Sequence, residues 1–68
     1  MRLYRFLTGP DDSSFCHKVT AALNKGWLLH GGPAYAYDAE AQTMRCGQAV
    51  YKEVQGEEYS PDVKLGDY

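Results

Sequence analysis

The sequence has no apolar run that approaches the roughly 18 residues a transmembrane helix requires. It also lacks a hydrophobic leader, because strand-like sequence begins directly after Met1 and Arg2. These two absences argue against a membrane-spanning or secreted protein, and we expect a cytoplasmic one. A chain of 68 residues has room for one domain with a small core.

Cysteine and basic charge are also scarce. Two cysteines, Cys16 and Cys46, are too few for a disulfide framework, and we expect reduced thiols. Seven Lys and Arg stand against nine Asp and Glu, so the basic surplus of a typical nucleic-acid binder is absent. His17 and His30 do not form the paired Cys and His motifs of zinc sites. We expect neither a metal nor another cofactor.

The sequence does contain one complete helix signature. Thr8 and Asp11 have the spacing of a capping box, and Pro10 suits the first turn of a helix. Gly26 is the glycine that commonly follows a helix end. Between these signals lies an apolar stripe with helical spacing, formed by Phe15, Val19, Ala22 and Leu23. We therefore predict a helix over residues 10–25.

Three other segments have the pattern of strands: residues 2–8, 27–37 and 43–54. A Gly-Gly-Pro interruption in the second predicts a bulge or an edge position, because proline has no N–H for the ladder. The β-α-β-β order predicts an α+β domain, with one helix on one face of a three-stranded mixed sheet. The first two strands are expected to be parallel across a crossover, and the third to return antiparallel to the second. Its place, central or at an edge, stays open.

The last fourteen residues differ in composition from the rest. Residues 1–54 have a net charge of +1, whereas residues 55–68 have one Lys, four acids and several turn formers. We predict a βαββ domain over residues 1–54 and a disordered acidic tail over residues 55–68, or one ordered only by a partner.

The apolar residues of the strands lie on both faces of the predicted sheet. One helix can cover only one face, and a large exposed apolar patch is unusual in a soluble monomer. The sequence therefore predicts a homodimer, in which a second copy covers the other face.

Large aromatic residues are the candidate contacts, because they dominate interface energetics. The candidates are Trp27, Tyr35, Tyr37 and Tyr51. Our first hypothesis is a non-enzymatic binding module for a protein, or for a small molecule held at the dimer seam. The alternative is that these aromatics, with Arg5 and Arg45, stack the bases of single-stranded nucleic acid, which the near-neutral charge disfavours.

A thiol-dependent activity at Cys16 or Cys46 is a third hypothesis. Cys16 precedes His17, but adjacent helical residues point about 100° apart and are poorly placed to share a proton. No serine, histidine and acid constellation is present either. We therefore expect both cysteines to fill small core positions, and we expect no enzyme.

Four segments of the sequence, LTGPDD, FCHKV, NKGW and CGQAV, resemble a small bacterial family of unknown function, DUF1737. The resemblance covers about residues 3–54. It implies a compact βαββ domain from a bacterial cytoplasm. The family has no established activity, so the resemblance implies no catalytic residues.

Overall fold

The computed structural model describes residues 1–68 and has the predicted α+β character and β-α-β-β order. A short 3₁₀ helix near the C-terminus follows the last strand. The elements are β1 (Arg2–Pro10), α1 (Ser13–Asn24), β2 (Leu28–Asp38), β3 (Thr43–Glu53) and the 3₁₀ helix (Leu65–Asp67).

The sheet is antiparallel throughout, so the predicted mixed sheet is wrong. Its strand order is β1-β3-β2, with β3 central and antiparallel to both neighbours. β1 and β2 run in the same direction, but they are not adjacent. β3 lies between them and pairs with all of β1 and with most of β2, so no parallel ladder forms.

α1 begins later than the sequence predicts. β1 continues through Pro10, which pairs with Arg45, so Thr8 is a strand residue and does not cap the helix. Pro10 is tolerated because β1 is an edge strand. Asp12 caps α1 instead, and its Oδ1 accepts a hydrogen bond from the Ser14 N–H at 2.9 Å.

The Asp12 cap makes part of the stability dependent on pH. Hydrogen bonds from the Ser14 hydroxyl and N–H lower the pKa of the Asp12 carboxyl. With a lowered pKa in the folded state, this stabilisation is present at neutral pH and is lost as pH falls through that pKa. Asparagine also caps helices but does not titrate. As pH falls below about 4, we therefore expect the free energy of unfolding to decrease less in Asp12→Asn than in the parent. Urea midpoints across a pH series measure this, and parallel pH curves for both proteins would contradict it.

The end of α1 confirms Gly26 as its stop signal. Gly26 has a φ of +97°, in the left-handed region. Its N–H donates to the Leu23 carbonyl, and the Trp27 N–H donates to the Ala22 carbonyl, both at 3.1 Å. This is the bond pattern of a Schellman motif, and it directs the chain back toward the sheet at Trp27.

The core lies between α1 and one face of the sheet, the helix side. α1 crosses mainly over β1, and Phe15 and Val19 flank the core. The buried cluster consists of Leu3, Leu7, Ala22, Trp27 and Val50.

The Gly-Gly-Pro segment forms a bulge on an edge strand, which confirms the prediction for this segment. The register of β2 against β3 shifts between His30 and Ala34. The side chain of Gln48 spans this gap, because its Nε2 donates to the carbonyls of His30 at 3.4 Å and Gly31 at 3.2 Å. Gln48 is buried, so these bonds satisfy its amide inside the fold.

The acidic tail has a defined path in the structure, where its composition predicts disorder. Three of its apolar residues pack against the core: Val63, Leu65 and Tyr68. Lys52 Nζ also donates to the main-chain oxygens of Tyr68 and Lys25, both at 2.6 Å. The tail therefore lies beside the end of α1 and covers part of the core.

Candidate functional site

The sheet face opposite α1 has no element packed on it, and we call it the open face. Paired residues on neighbouring strands point to the same face, so the register identifies its members. Tyr4, Tyr51 and Leu28 form one row across all three strands. Phe6, Ala49 and His30 form the next row.

The two rows make a continuous aromatic and apolar patch. Tyr4, Phe6 and Leu28 are each more than half exposed. The rings of His30 and Tyr51 meet edge to face, with their centroids 6.1 Å apart. The large side chains around this pair enclose a hollow of about 370 Å³. Aromatic walls with a few polar groups are typical of binding surfaces.

Apart from Arg45, the other half of the open face is built from smaller side chains. Thr8, Gly47 and Ala34 form its first row, and Pro10, Arg45 and Ala36 form the next. A hollow of about 180 Å³ lies over these rows. The Phe6 ring lies over Gly47, and a Cβ at this position would lie 2.7 Å from the Phe6 Cε2, so the ring would have to move.

Both arginines of the open face are paired with acids. Arg2 forms an ion pair with Glu53, and Arg45 Nε lies 3.5 Å from the Asp38 Oδ2. The Ala41 N–H and Arg45 together lower the pKa of the Asp38 carboxyl. The open face therefore lacks the unpaired positive charge that a phosphate backbone requires.

Trp27 is a core residue, not the surface contact that the sequence predicts. It is 1% exposed, because the Schellman turn directs its side chain under α1. Arg5 lies on the same side of the sheet, with its guanidinium carbon 5.5 Å from the centroid of the Trp27 ring. Both residues are thus separated from the open face by the sheet.

The remaining candidates divide between the two faces. Tyr51 and Arg45 belong to the open face, whereas Tyr35 and Tyr37 project from β2 on the helix side. The six predicted residues therefore do not form one site. The sequence prediction omitted Tyr4, Phe6 and Leu28, although the alternation within residues 2–8 does place Tyr4 and Phe6 on one face.

A groove runs between α1 and β2 on the helix side, because α1 leaves β2 uncovered. It has a volume of about 300 Å³. Its lining residues are Phe15, Cys16, Val19, Thr20, Leu29 and Gln48. The groove offers an apolar surface that is separate from the open face.

The two cysteines differ in their surroundings. Cys46 is buried, and its Sγ lies 3.7 Å from the Asp11 Oδ1. Burial, with Asp11 adding to it, raises the pKa of the Cys46 thiol. A raised pKa lowers the fraction of reactive thiolate. Cys16 is exposed on α1, so the predicted core position is wrong for Cys16 and confirmed for Cys46. No three His, Cys, Asp or Glu side chains lie close enough together to hold a metal ion.

We expect alkylation to distinguish these two thiols. In the native protein at neutral pH, iodoacetamide is expected to modify Cys16 at least about 10-fold faster than Cys46, because only Cys16 is exposed. Peptide mass spectrometry of timed samples measures both rates, and Cys16→Ser isolates the slow site. Fast modification of Cys46 in the folded protein would contradict the expectation and favour a thiol-dependent activity.

Comparison with known proteins identifies a family but no activity. None of the helices has the length and apolarity needed to cross a bilayer. No curated protein and no solved structure matches the chain. The family model DUF1737, described as a domain of unknown function, matches residues 1–53, which is most of the chain and includes all three strands and α1. The protein therefore belongs to the DUF1737 family.

Proposed function

We propose that this domain is a non-enzymatic binding module that works as a homodimer, with the open face as the interface between the two copies. One observation carries the proposal: the open face presents Tyr4, Phe6 and Leu28 to solvent across three strands. Exposed apolar patches of this kind mark interaction sites in soluble proteins.

The size of the open face is consistent with a dimer of moderate affinity. A strand of nine residues is about 30 Å long, and three strands are about 14 Å wide. Two such faces, with the relief of their side chains, would together bury on the order of 1,000 Å². This is near the lower limit for a specific interface, so dissociation is expected on dilution.

The partner we propose for this module is a protein segment. In a dimer formed through the open face, the groove between α1 and β2 lies on the outside of both copies. Its walls, which include Phe15, Val19 and Leu29, suit apolar side chains of a partner. Asp11 and Asp12 at the neighbouring end favour a basic residue there.

Neither alternative function gains support from the geometry. Nucleic-acid binding through the open face is disfavoured, since Arg2 and Arg45 are paired with acids. A thiol activity at Cys46 is disfavoured by burial and by the raised pKa of its thiol.

Light scattering over a wide concentration range tests the homodimer. We expect a mass of twice the 7.6 kDa chain at high concentration and a fall toward one chain on dilution. Tyr4→Glu should produce a folded monomer, because it places a charge within the apolar surface that the two copies share. Tyr37→Glu is the matched control, since Tyr37 is 62% exposed against 58% for Tyr4 but lies on the helix side and lines neither hollow of the open face. A mass of one chain at every concentration would overturn the proposal.

A further inference from the structure

We infer that two copies pack open face to open face about a two-fold axis perpendicular to the strands, so that the bulky half of each face meets the small half of the other. The inference rests on the proposed homodimer and specifies its geometry. In this arrangement Leu28 of one copy lies against Ala36 of the second copy, and His30 lies against Ala34 of the second copy.

The distribution of side-chain size along the strands carries the inference. Along β2, Leu28 and His30 precede the bulge, and Ala34 and Ala36 follow it. Because β3 is antiparallel to β2, the later residue Tyr51 lies in the bulky half and the earlier residue Gly47 lies in the small half. We call the bulky half the ridge, and we call the hollow of about 180 Å³ in the small half, which the Phe6 ring over Gly47 borders, the depression.

Symmetry then restricts how two such faces can fit. A two-fold axis parallel to the strands would place ridge on ridge and leave the two depressions empty. An axis perpendicular to the strands reverses the rows and places each ridge over the depression of about 180 Å³ in the other copy. Packed sheets lie about 10 Å apart and interdigitate, so only the second arrangement fills the space between them.

Arg45 supports the same arrangement. It stands in the row that opposes Tyr4, Tyr51 and Leu28 when the rows are reversed. Its long side chain would then point at the hollow of about 370 Å³ that Tyr4, His30 and Tyr51 line. A guanidinium over aromatic faces gains a cation–π interaction. Arg45 is half exposed, and in this contact its guanidinium would exchange the ion pair with Asp38, at 3.5 Å, for the aromatic rings.

A volume swap within one chain tests the geometry. Leu28→Ala and Ala36→Leu are each expected to weaken the dimer about 10- to 100-fold, because each change is repeated twice in a symmetric interface. The double variant restores a leucine opposite an alanine on both sides, and its dissociation constant should return to within about 3-fold of the parent value.

Leu29→Ala is the matched control, since Leu29 is 52% exposed and Leu28 is 53%, but Leu29 lies on the helix side. Dissociation constants come from sedimentation equilibrium, and Trp27 fluorescence verifies that each variant is folded.

Restoration in the double variant supports the inferred geometry. If the parent is a dimer and neither single variant weakens it, the dimer uses another surface, and the inference fails while the homodimer stands. If both single variants weaken the dimer and the double variant is weaker still, the open face is the interface but its rows are opposed differently, which also overturns the inference. A monomeric parent overturns the homodimer itself.

Discussion

Trp27→Ala is expected to abolish cooperative folding at 25 °C. Trp27 is the largest fully buried side chain, and it lies in the one core cluster with Leu3 and Val50. Truncation of a buried tryptophan to alanine costs about 3–5 kcal/mol. A domain of this size has a free energy of unfolding of only about 3–10 kcal/mol. Far-UV circular dichroism during a urea titration measures the change, and a variant within about 1 kcal/mol of the parent would show that Trp27 does not hold the core together.

Trp27→Phe is the informative companion, because Trp27 Nε1 is buried and has no hydrogen-bond partner. Phenylalanine therefore loses volume but no hydrogen bond, and we expect a folded protein that is less stable than the parent by about 1–2 kcal/mol. Tyr35→Ala, at an exposed aromatic, should stay within about 0.5 kcal/mol. This series separates loss of core volume from loss of an aromatic ring.

Local signals in the sequence predict the parts of the fold that local chemistry determines. Gly26 ends α1 because the left-handed residue of a Schellman motif favours glycine. The Gly-Gly-Pro segment produces a bulge on an edge strand, because it cannot continue a central ladder. Both effects act within a few residues, so they can be recognised without knowledge of the tertiary structure.

Other features depend on contacts that the sequence does not display. Pro10 and Thr8 have the chemistry of a helix start, but pairing with Arg45 and Gly47 extends β1 through them. Strand order depends on which ladders form across the sheet, so βαββ order alone permits both a mixed and an antiparallel sheet.

The residues of the open face differ from the contact residues that the sequence predicts. Alternation along the strands indicates two apolar faces, and this is the reason for expecting a dimer. It does not indicate which face α1 covers. Trp27 consequently belongs to the core, and Tyr4 and Phe6 belong to the open face. Residue type alone treats all of these aromatics alike.

The composition of the tail and its contacts in the structure point in different directions. Its acids and turn formers predict disorder. In the structure, however, three apolar residues within six positions of one another pack against the core: Val63, Leu65 and Tyr68. Lys25 Nζ donates to the Gly66 carbonyl at 3.0 Å, so the end of α1 also holds the tail. The family match ends at residue 53, so these contacts lie outside the part that the family model describes.

Ending the chain at Gly56 is therefore expected to destabilise the domain. Half-burial of three apolar side chains is worth about 1 kcal/mol each, and their loss should lower the free energy of unfolding by about 1–3 kcal/mol. The emission of Trp27 should shift to longer wavelength as water reaches the core. Urea titration followed by tryptophan fluorescence measures both effects.

A full-length pair of variants separates packing from chain length. Val63→Ser combined with Leu65→Ser should reproduce most of the destabilisation, because both side chains pack on the core. Glu58→Ser combined with Tyr59→Ser changes exposed tail residues and should have little effect. If the shortened chain is as stable as the parent, the tail contributes nothing to the core, and the disorder predicted from its composition is the better description. If only the first pair destabilises the domain, the tail acts as a packed strap over the end of α1, and the folded unit extends beyond residue 53.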